Sequence, residues 1–328
     1  MMLMLSVVTT LYRSSRYVDA FYRRIVADAE KLTSSFEIVF VNDASPDDSL
    51  EMARRLCATD PRVKVIDLAR NFGQHRALMC GMRHAGGERV FVIDVDLEEE
   101  PENLGRFWRA MDEDCETDVV VGQLEEKTLP FAKAFTSDLF YKVFNAFSPV
   151  QISDRDIVSR LMKRSYADAL LQYGETELFL PAVWKDAGFV QKRIVATKVY
   201  DGNSSYTFRK KLVMAADAIT SFSSRPLTGI FYLGLLSSGT ATLVILYLVL
   251  QKLFWGRVFV GWTSLMAALF LIGGVIIFSI GVVGIYIAKI FSEVKGRPTS
   301  LVRAIYQGNC VRAPRAADDS RREHEWQG

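Results

Sequence analysis

The chain has 328 residues, half of them hydrophobic and 24% charged, which excludes a disordered, collagen-like or disulfide-scaffold protein. Its 40 basic residues against 38 acidic ones leave a net charge of +2, without the basic excess of a nucleic-acid binder. Cys57, Cys80, Cys115 and Cys310 stand far apart with no CxxC pair, so they read as reduced thiols and not as a zinc site or a disulfide framework.

Up to about residue 200 the sequence alternates between two periodicities. Short runs rich in β-branched residues at Leu3–Val8, Phe36–Val41, Val63–Leu68, Arg89–Ile93 and Asp118–Val121 predict strands. Helical patterns lie between them at 16–33, 47–59, 73–86 and 101–113. Asp47 is the expected N-cap of the second after Pro46, and Gly86-Gly87 ends the third. This alternation predicts a mostly parallel sheet with helices on both faces, whose ligands bind beyond the carboxyl ends of the strands.

Two of the loops at those ends are acidic. The second strand runs into Asn42-Asp43-Ala44-Ser45-Pro46-Asp47, and the fourth into Asp94-Val95-Asp96, followed by Glu98, Glu99 and Glu100. Two Asp separated by one residue at the end of a buried strand suit a single hard cation, Mg²⁺ or Mn²⁺, that completes its shell with diphosphate oxygens. Glu175 and Glu177 read as a helix start before Leu178, facing either a ligand or solvent. The histidines His75, His84 and His324 are too scattered to form a ligand cluster, and His75, which follows the Arg70–Gly73 loop, either borders a ligand site or lies at the surface, the surface being the favoured reading. No GxSxG elbow and no repeat of solenoid length occurs.

Two segments carry apolar stripes at helical spacing beside basic residues: Phe131, Phe135, Leu139, Val143 and Phe147, then Phe208, Leu212, Ala215, Ile219 and Phe222. The first fits packing on the sheet and lying in a headgroup plane equally. The second leads straight into an apolar run and reads as an interfacial helix. No charge occurs from Pro226 to Gln251 or from Val258 to Ala288. Each run exceeds the roughly 20 apolar residues needed to span a bilayer, and neither has the form of a signal peptide. Arg209, Lys210, Lys211 and Arg225 precede the first run, and Lys289, Lys295, Arg297 and Arg303 follow the second. Only Lys252 and Arg257 lie between them, which predicts cytoplasmic termini. Glycines 273, 274, 281 and 284 offer close helix contacts for a homo-oligomer. Beyond Pro314 the tail is expected to be disordered.

The chain resembles membrane-anchored family 2 glycosyltransferases of the polyprenyl-phosphate sugar synthase type, over about residues 3–306. The resemblance is carried by the SVV strand followed by Tyr12, VNDASPDDS, ARNFGQHRAL at 69–78, DVDLEEEPE at 94–102 and SRLMKRSYADAL at 159–170. It continues through GNSSYTFRKKL at 202–212, TSFSSRPL at 220–227, GWTSL at 261–265 and GIYIAKIFSEVKGRP at 284–298. It implies that Tyr12, Asp43, Arg70, Asn71 and Asp94 bind the donor and that Asp94 and Asp96 hold the metal, with Asp96 also catalytic. It implies too that Ser205, Tyr206, Arg209 and Lys210 receive the lipid phosphate. The first loop, usually Pro-x-Tyr-Asn-Glu, here reads Thr10-Leu11-Tyr12-Arg13-Ser14, and the usual Gln and two prolines of the acidic loop are replaced by three Glu and one Pro. The Asp of the relatives' Gly-Asp-Phe-Arg segment falls at Val158, with Asp154 and Asp156 just upstream as replacements and Asp156 taken as the second catalytic residue. A lipid monophosphate, with a second pKa near about 6, is already an anion, so it needs positioning more than proton removal.

The expected architecture is α/β: a GT-A (Rossmann-like) nucleotide-sugar domain at 1–200, a juxtamembrane amphipathic helix at 201–225, a two-helix transmembrane hairpin at 226–290 and a cytoplasmic tail at 291–328. The expected activity is inverting transfer of one sugar, by default from UDP-glucose, to undecaprenyl or another polyprenyl phosphate on the cytoplasmic leaflet of the inner or plasma membrane. Membrane lipid is the expected surroundings, a flippase of the same pathway a further partner, and nucleic acid none. The alternative is a non-catalytic relative that binds a nucleotide-sugar or partners a flippase. A processive polysaccharide synthase is disfavoured by the absence of a Gln-x-x-Arg-Trp motif.

Overall fold

The computed structural model describes residues 3–124, 153, 155–175, 178–196, 225–255, 261–308 and 310–312. These fall into two compact units. The first takes the described residues up to 196 and those from 298 onward, and the second takes the two long helices.

In the first unit, strand and helix alternate as β1 (Leu5–Leu11), α1 (Ser15–Ala29), β2 (Phe36–Asn42), α2 (Ser49–Thr59), β3 (Val63–Leu68), α3 (Gln74–His84) and β4 (Arg89–Val92). A 3₁₀ turn at Pro101–Asn103 leads into α4 (Leu104–Asp112). Then follow β5 (Val119–Gln123), β6 (Asp156–Lys163), α5 (Arg164–Leu170), α6 (Leu180–Asp186) and β7 (Gln191–Val195). After the second unit the chain returns as β8 (Val302–Gln307) and β9 (Cys310–Arg312). Among the described residues these strands form one mixed sheet of order β7-β5-β6-β4-β1-β2-β3-β8-β9.

Strand β1 pairs parallel with both β2 and β4, and β2 with β3. Because β6 runs antiparallel to both β4 and β5, β5 points the same way as β1–β4. One edge of the sheet therefore collects the carboxyl ends of these strands together with the starts of β6 and β8. The chain order reverses at β1, which has β2 on one side and β4 on the other, and such a switch point opens a crevice beyond the strand ends.

Burial explains the strands. Every residue of β2 is buried, as expected for a central strand covered on both faces. Helix α1 turns Val18, Phe21, Ile25 and Ala29 inward at spacings that share one face. Phe21 meets Phe40 edge-on at 6.1 Å and Phe91 meets Phe107 at 5.5 Å, so two aromatic pairs lock helices to the sheet.

The strands beyond β5 and the return of β8 and β9 lie outside the sequence-based elements, which treat everything from 291 as a tail. Val302–Gln307, with the sequence VRAIYQ, has no clean two-residue alternation and follows a long apolar run, so its own pattern does not announce a strand. It becomes a strand because the free edge of β3 offers it a ladder, from Lys64 opposite Gln307 to Leu68 opposite Val302.

The second unit consists of α7 (Arg225–Trp255) and α8 (Trp262–Val294), where the two uncharged runs predicted them. Segments Arg225–Val244 and Leu271–Val294 are long and apolar enough to cross a membrane. Their large side chains point outward, Leu236 being 70% and Ile277 73% exposed, so these are not core helices of a soluble domain.

Helix α3 ends at His84, and Gly87 soon afterwards donates its N–H to Ser6 Oγ at 2.8 Å. A Cβ there would lie 2.6 Å from the Ser6 nitrogen and 2.7 Å from the Leu5 carbonyl carbon. Since both obstacles are backbone of the central strand, Gly87→Ala is expected to destabilise the first unit by roughly 1–3 kcal/mol. Thermal unfolding of the full chain in detergent, read by tryptophan fluorescence, should show a Tm several degrees lower.

Candidate functional site

The acidic and polar residues singled out in the sequence converge on the carboxyl edge. Tyr12 follows β1, Asp43 follows β2, Arg70 and Asn71 follow β3, Asp94 and Asp96 follow β4, and Asp156 begins β6. The crevice at the switch point thus lies between the Tyr12 loop and the Asp94-Val95-Asp96 loop.

Asp43 is buried, and its two carboxylate oxygens accept the backbone N–H groups of Phe72 at 2.7 Å and Gly73 at 2.9 Å. Asn71 Nδ2 donates to the Asp43 carbonyl at 3.3 Å. Asp43 therefore shapes the Arg70–Gly73 loop, a supporting duty that its sequence position does not announce. The Arg70 guanidinium sits 3.9 Å over the Phe72 ring, so it lies along the loop surface. Gly73, at φ +91°, lets the chain turn from this loop into α3.

Asp47 ties the first two loops together. Its Oδ1 accepts Ser45 Oγ at 2.5 Å and Ser49 Oγ at 2.6 Å, while Oδ2 accepts the Ser15 N–H at 3.0 Å. The sequence reads Asp47 as the N-cap of α2, but that position falls to Asp48, one residue later, and Asp47 Oδ2 instead takes a free first-turn N–H of α1. Ser45 Oγ in turn accepts the Arg13 N–H at 2.7 Å. Burial by itself would raise the Asp47 pKa, but the hydrogen bonds from Ser45, Ser49 and Ser15 outweigh it and hold the carboxyl well below the usual aspartate range.

Among the described residues, three non-glycine residues adopt positive φ: Arg13 at 57°, Ala44 at 49° and Leu97 at 61°. They follow β1, β2 and β4 respectively. Each such conformation costs about 1–3 kcal/mol and persists only where its surroundings over-determine it. The surroundings here are the Ser45 bond to Arg13, the Asn42 Oδ1 bond to the Ser45 N–H at 3.2 Å, and the Asp96 Oδ1 bond to the Glu98 N–H at 3.0 Å.

Asp94 and Asp96 are both partly exposed. Gln74, at the first turn of α3, donates to Asp94 Oδ1 at 2.6 Å and fixes that carboxylate against the third loop. Glu99, which lies in the same acidic stretch, is buried. It accepts the N–H groups of Val158 at 3.2 Å and Ser159 at 2.8 Å, and also the Ser159 hydroxyl. The loop after Asp96 is thereby fastened to β6. The described residues contain no group of three or more His, Cys, Asp or Glu able to hold a metal. Two hard carboxylates still suit one divalent ion such as Mg²⁺ or Mn²⁺ whose remaining ligands come from diphosphate oxygens and water.

On β6, Asp156 pairs with Arg193 of β7 at 3.2 Å and accepts Gln123 Nε2 at 3.4 Å. Arg160 is 4% exposed, lies 3.2 Å over the Trp184 ring, and donates to the carbonyls of Val158 and Ile157 at 3.1 and 2.8 Å. Burial lowers its pKa to about 10, against the raising influence of Tyr166, Asp156 and Glu99, so it remains a cation at neutral pH. His75 is half-buried and not at the surface as expected. Its Nδ1 donates to the Leu178 carbonyl at 3.2 Å and its ring meets Phe179 at 6.0 Å. Burial lowers its pKa. Glu175 precedes no helix at Leu178, since α6 begins at Leu180.

Ser205, Tyr206, Arg209 and Lys210 lie outside the described residues, as do Asp154, Glu177 and the stripes at 128–147 and 207–223. Sequence reading does not single out Gln74, and it names Glu99 and Asp47 without the bracing duties they perform here. Each acts on a loop distant in sequence, so no local spacing marks it.

Residues 6–171 match the Glycosyl transferase family 2 domain. A protein of Mycobacterium tuberculosis (strain CDC 1551 / Oshkosh), assigned by name to the glycosyltransferases, is 40% identical over 92% of this chain and 88% of its own. An uncharacterized glycosyltransferase, YkcC of Bacillus subtilis (strain 168), is 32% identical over 92% of this chain and 94% of its own. The SfII prophage-derived bactoprenol glucosyl transferase of Shigella flexneri is 30% identical over 93% of this chain and 99% of its own.

Because the Asp47 carboxyl is held below its unfolded value, its stabilising contribution is complete at neutral pH and is lost as pH falls below about 4. Asp47→Asn is expected to lower Tm at pH 7, and the gap from the unsubstituted protein should narrow steadily below pH 4. A Tm-against-pH series on both proteins measures it.

Proposed function

The chain belongs to glycosyltransferase family 2, and on that premise we propose that it moves one sugar from a nucleotide-sugar to a polyprenyl phosphate at a membrane. It is a glycosyltransferase with a GT-A α/β fold. The bactoprenol glucosyl transferases that it resembles along nearly their whole length support the lipid acceptor, and α7 and α8 support membrane association. UDP-glucose is the proposed donor and the cytoplasmic leaflet the proposed side, with both termini in the cytoplasm on the strength of the flanking basic residues.

The observation that carries this reading is the Asp94-Val95-Asp96 pair at the switch-point crevice, braced by Gln74 and by Glu99. In the proposed reaction an acceptor phosphate oxygen attacks the anomeric carbon from the side opposite the nucleoside diphosphate. A C–O bond forms as the C–O bond to the diphosphate breaks, and configuration inverts. Asp94 and Asp96 would hold a divalent ion, which when bound would supply charge stabilisation to the departing diphosphate. Tyr12, which is 46% exposed, offers a stacking face to the base, and the Arg70–Asn71 loop borders the nucleotide. Ser205, Tyr206, Arg209 and Lys210 are proposed to receive the lipid phosphate.

The acceptor arrives as an anion, so the step needs no general base. Val158 in place of an Asp is compatible with that chemistry. Asp156, ion-paired with Arg193, is proposed to shape the β5–β6 rim of the crevice.

A radiolabel transfer assay tests the reading on the full chain in detergent with undecaprenyl phosphate and a panel of UDP- and GDP-sugars. Metal-dependent labelling of the lipid is expected, with UDP-glucose preferred and the product lost on chelation. Asp94→Asn and Asp96→Asn should each lower turnover at least about a hundredfold, the range seen when one group that stabilises transition-state charge is removed. Nucleotide binding without transfer from any donor would instead identify a non-catalytic relative.

A further inference from the structure

The segment that follows α8 returns to the first unit as β8, beyond the residues 6–171 that match the family domain. It pairs antiparallel with β3, and the register breaks once, between Asp67 and Leu68. Asp67 stands opposite Ala304 and Leu68 opposite Val302, which leaves Arg303 as the extra residue of a β-bulge. Bulges re-aim a side chain and recur next to functional sites.

The re-aimed side chain has two partners. Arg303 Nη2 donates to the Ala69 carbonyl at 2.7 Å, and Nη1 lies 3.5 Å from Asp67 Oδ2. Ala69 is also gripped from its other side, its N–H donating to the Leu301 carbonyl at 2.8 Å. The Asp67 side chain is 3% exposed and that of Arg303 59%, so a surface cation here compensates a buried anion. Asp67 passes the constraint on, since its Oδ1 accepts Asn42 Nδ2 at 2.8 Å. Asn42 Oδ1 then accepts the Ser45 N–H, and Ser45 holds Arg13 and Asp47. One guanidinium is thus joined by successive bonds to the loops after β1, β2 and β3.

We propose that Arg303 is a positioning residue for donor binding, its contacts with Asp67 and Ala69 holding the Arg70–Asn71 and Asn42–Ser45 loops in the geometry that receives the nucleotide-sugar. The donor half of this inference rests on the function proposed above. It makes the strand after the last long helix a working part of the donor site. Losing Arg303 leaves the buried Asp67 with one fewer partner, and the least costly relief is movement of Asn42 and the loops attached to it.

The test uses the full chain in detergent with Arg303→Gln and Arg303→Lys. In Arg303→Gln, amide exchange over residues 69–73 should quicken about threefold or more while exchange in α1 stays unchanged, the signature of a local opening. With UDP-glucose as donor, KM should rise about tenfold and kcat stay within about twofold, as for loss of a charged hydrogen bond used to hold the ground-state site. The lysine variant, which restores the charge without the two-pronged reach, should recover part of the KM change. Unchanged exchange in both variants overturns the positioning role whatever the donor proves to be. Faster exchange with an unaltered KM overturns its connection to donor binding. If the unsubstituted protein transfers no sugar from any donor, the functional reading fails, and the exchange data still decide whether Arg303 holds the loops.

Discussion

Loops that leave the carboxyl ends of parallel strands carry backbone N–H groups that no ladder satisfies, and burying them unpaired costs on the order of 1–3 kcal/mol each. In this domain side-chain carboxylates accept them. Asp43 takes two from the third loop, Asp47 one from the start of α1, and Glu99 two from β6. Each of these bonds joins an acceptor to a donor on a segment distant in sequence. The crevice is consequently a set of loops that hold one another, and three of them store a left-handed residue that an unsupported loop would release.

This bracing bears on catalysis. A site that stabilises developing charge works by having its groups in place before the reaction, so that no reorganisation is needed at the moment of bond breaking. In the proposed reaction, Gln74 on Asp94 and Glu99 on β6 provide such placement for the acidic pair, the first from α3 and the second from its own loop. The departures from the family pattern become intelligible in these terms. Glu99 is one of three consecutive Glu, yet it is buried and hydrogen-bonded to the neighbourhood of Val158. The position without the family Asp is therefore structurally occupied by backbone held from the acidic loop.

The alternating pattern up to residue 123 placed β2 and β3 almost to the residue, because these strands are rich in β-branched and other large apolar residues and bounded by turn residues. It also placed α2, α3 and α4 within a few residues, and the two uncharged runs became α7 and α8. The strands β6, β7, β8 and β9 escaped it. Their pairing is with edges of a sheet that the rest of the chain has already built, so nothing in their own periodicity announces them. Arg303 shows the difficulty sharply: counted from sequence among the basic residues flanking a span, it sits on a bulge in the sheet and answers the charge of Asp67.

Local chemistry alone determined that this chain has an α/β domain with acidic strand ends and two long apolar helices, since periodicity, charge and spacing are properties of neighbouring residues. The presence of Tyr12, Asp43, Arg70, Asp94 and Asp156 on one edge could be expected from the rule that such sheets bind ligands beyond their strand ends. Which carboxylates stay partly exposed and which are consumed in holding loops was decided only by the tertiary structure. Asp43 and Asp94 look alike in sequence, each following an apolar strand. One is buried against the backbone of a loop some 30 residues further along and the other is partly exposed, because burial and hydrogen-bond partners depend on contacts between segments that sequence order keeps apart.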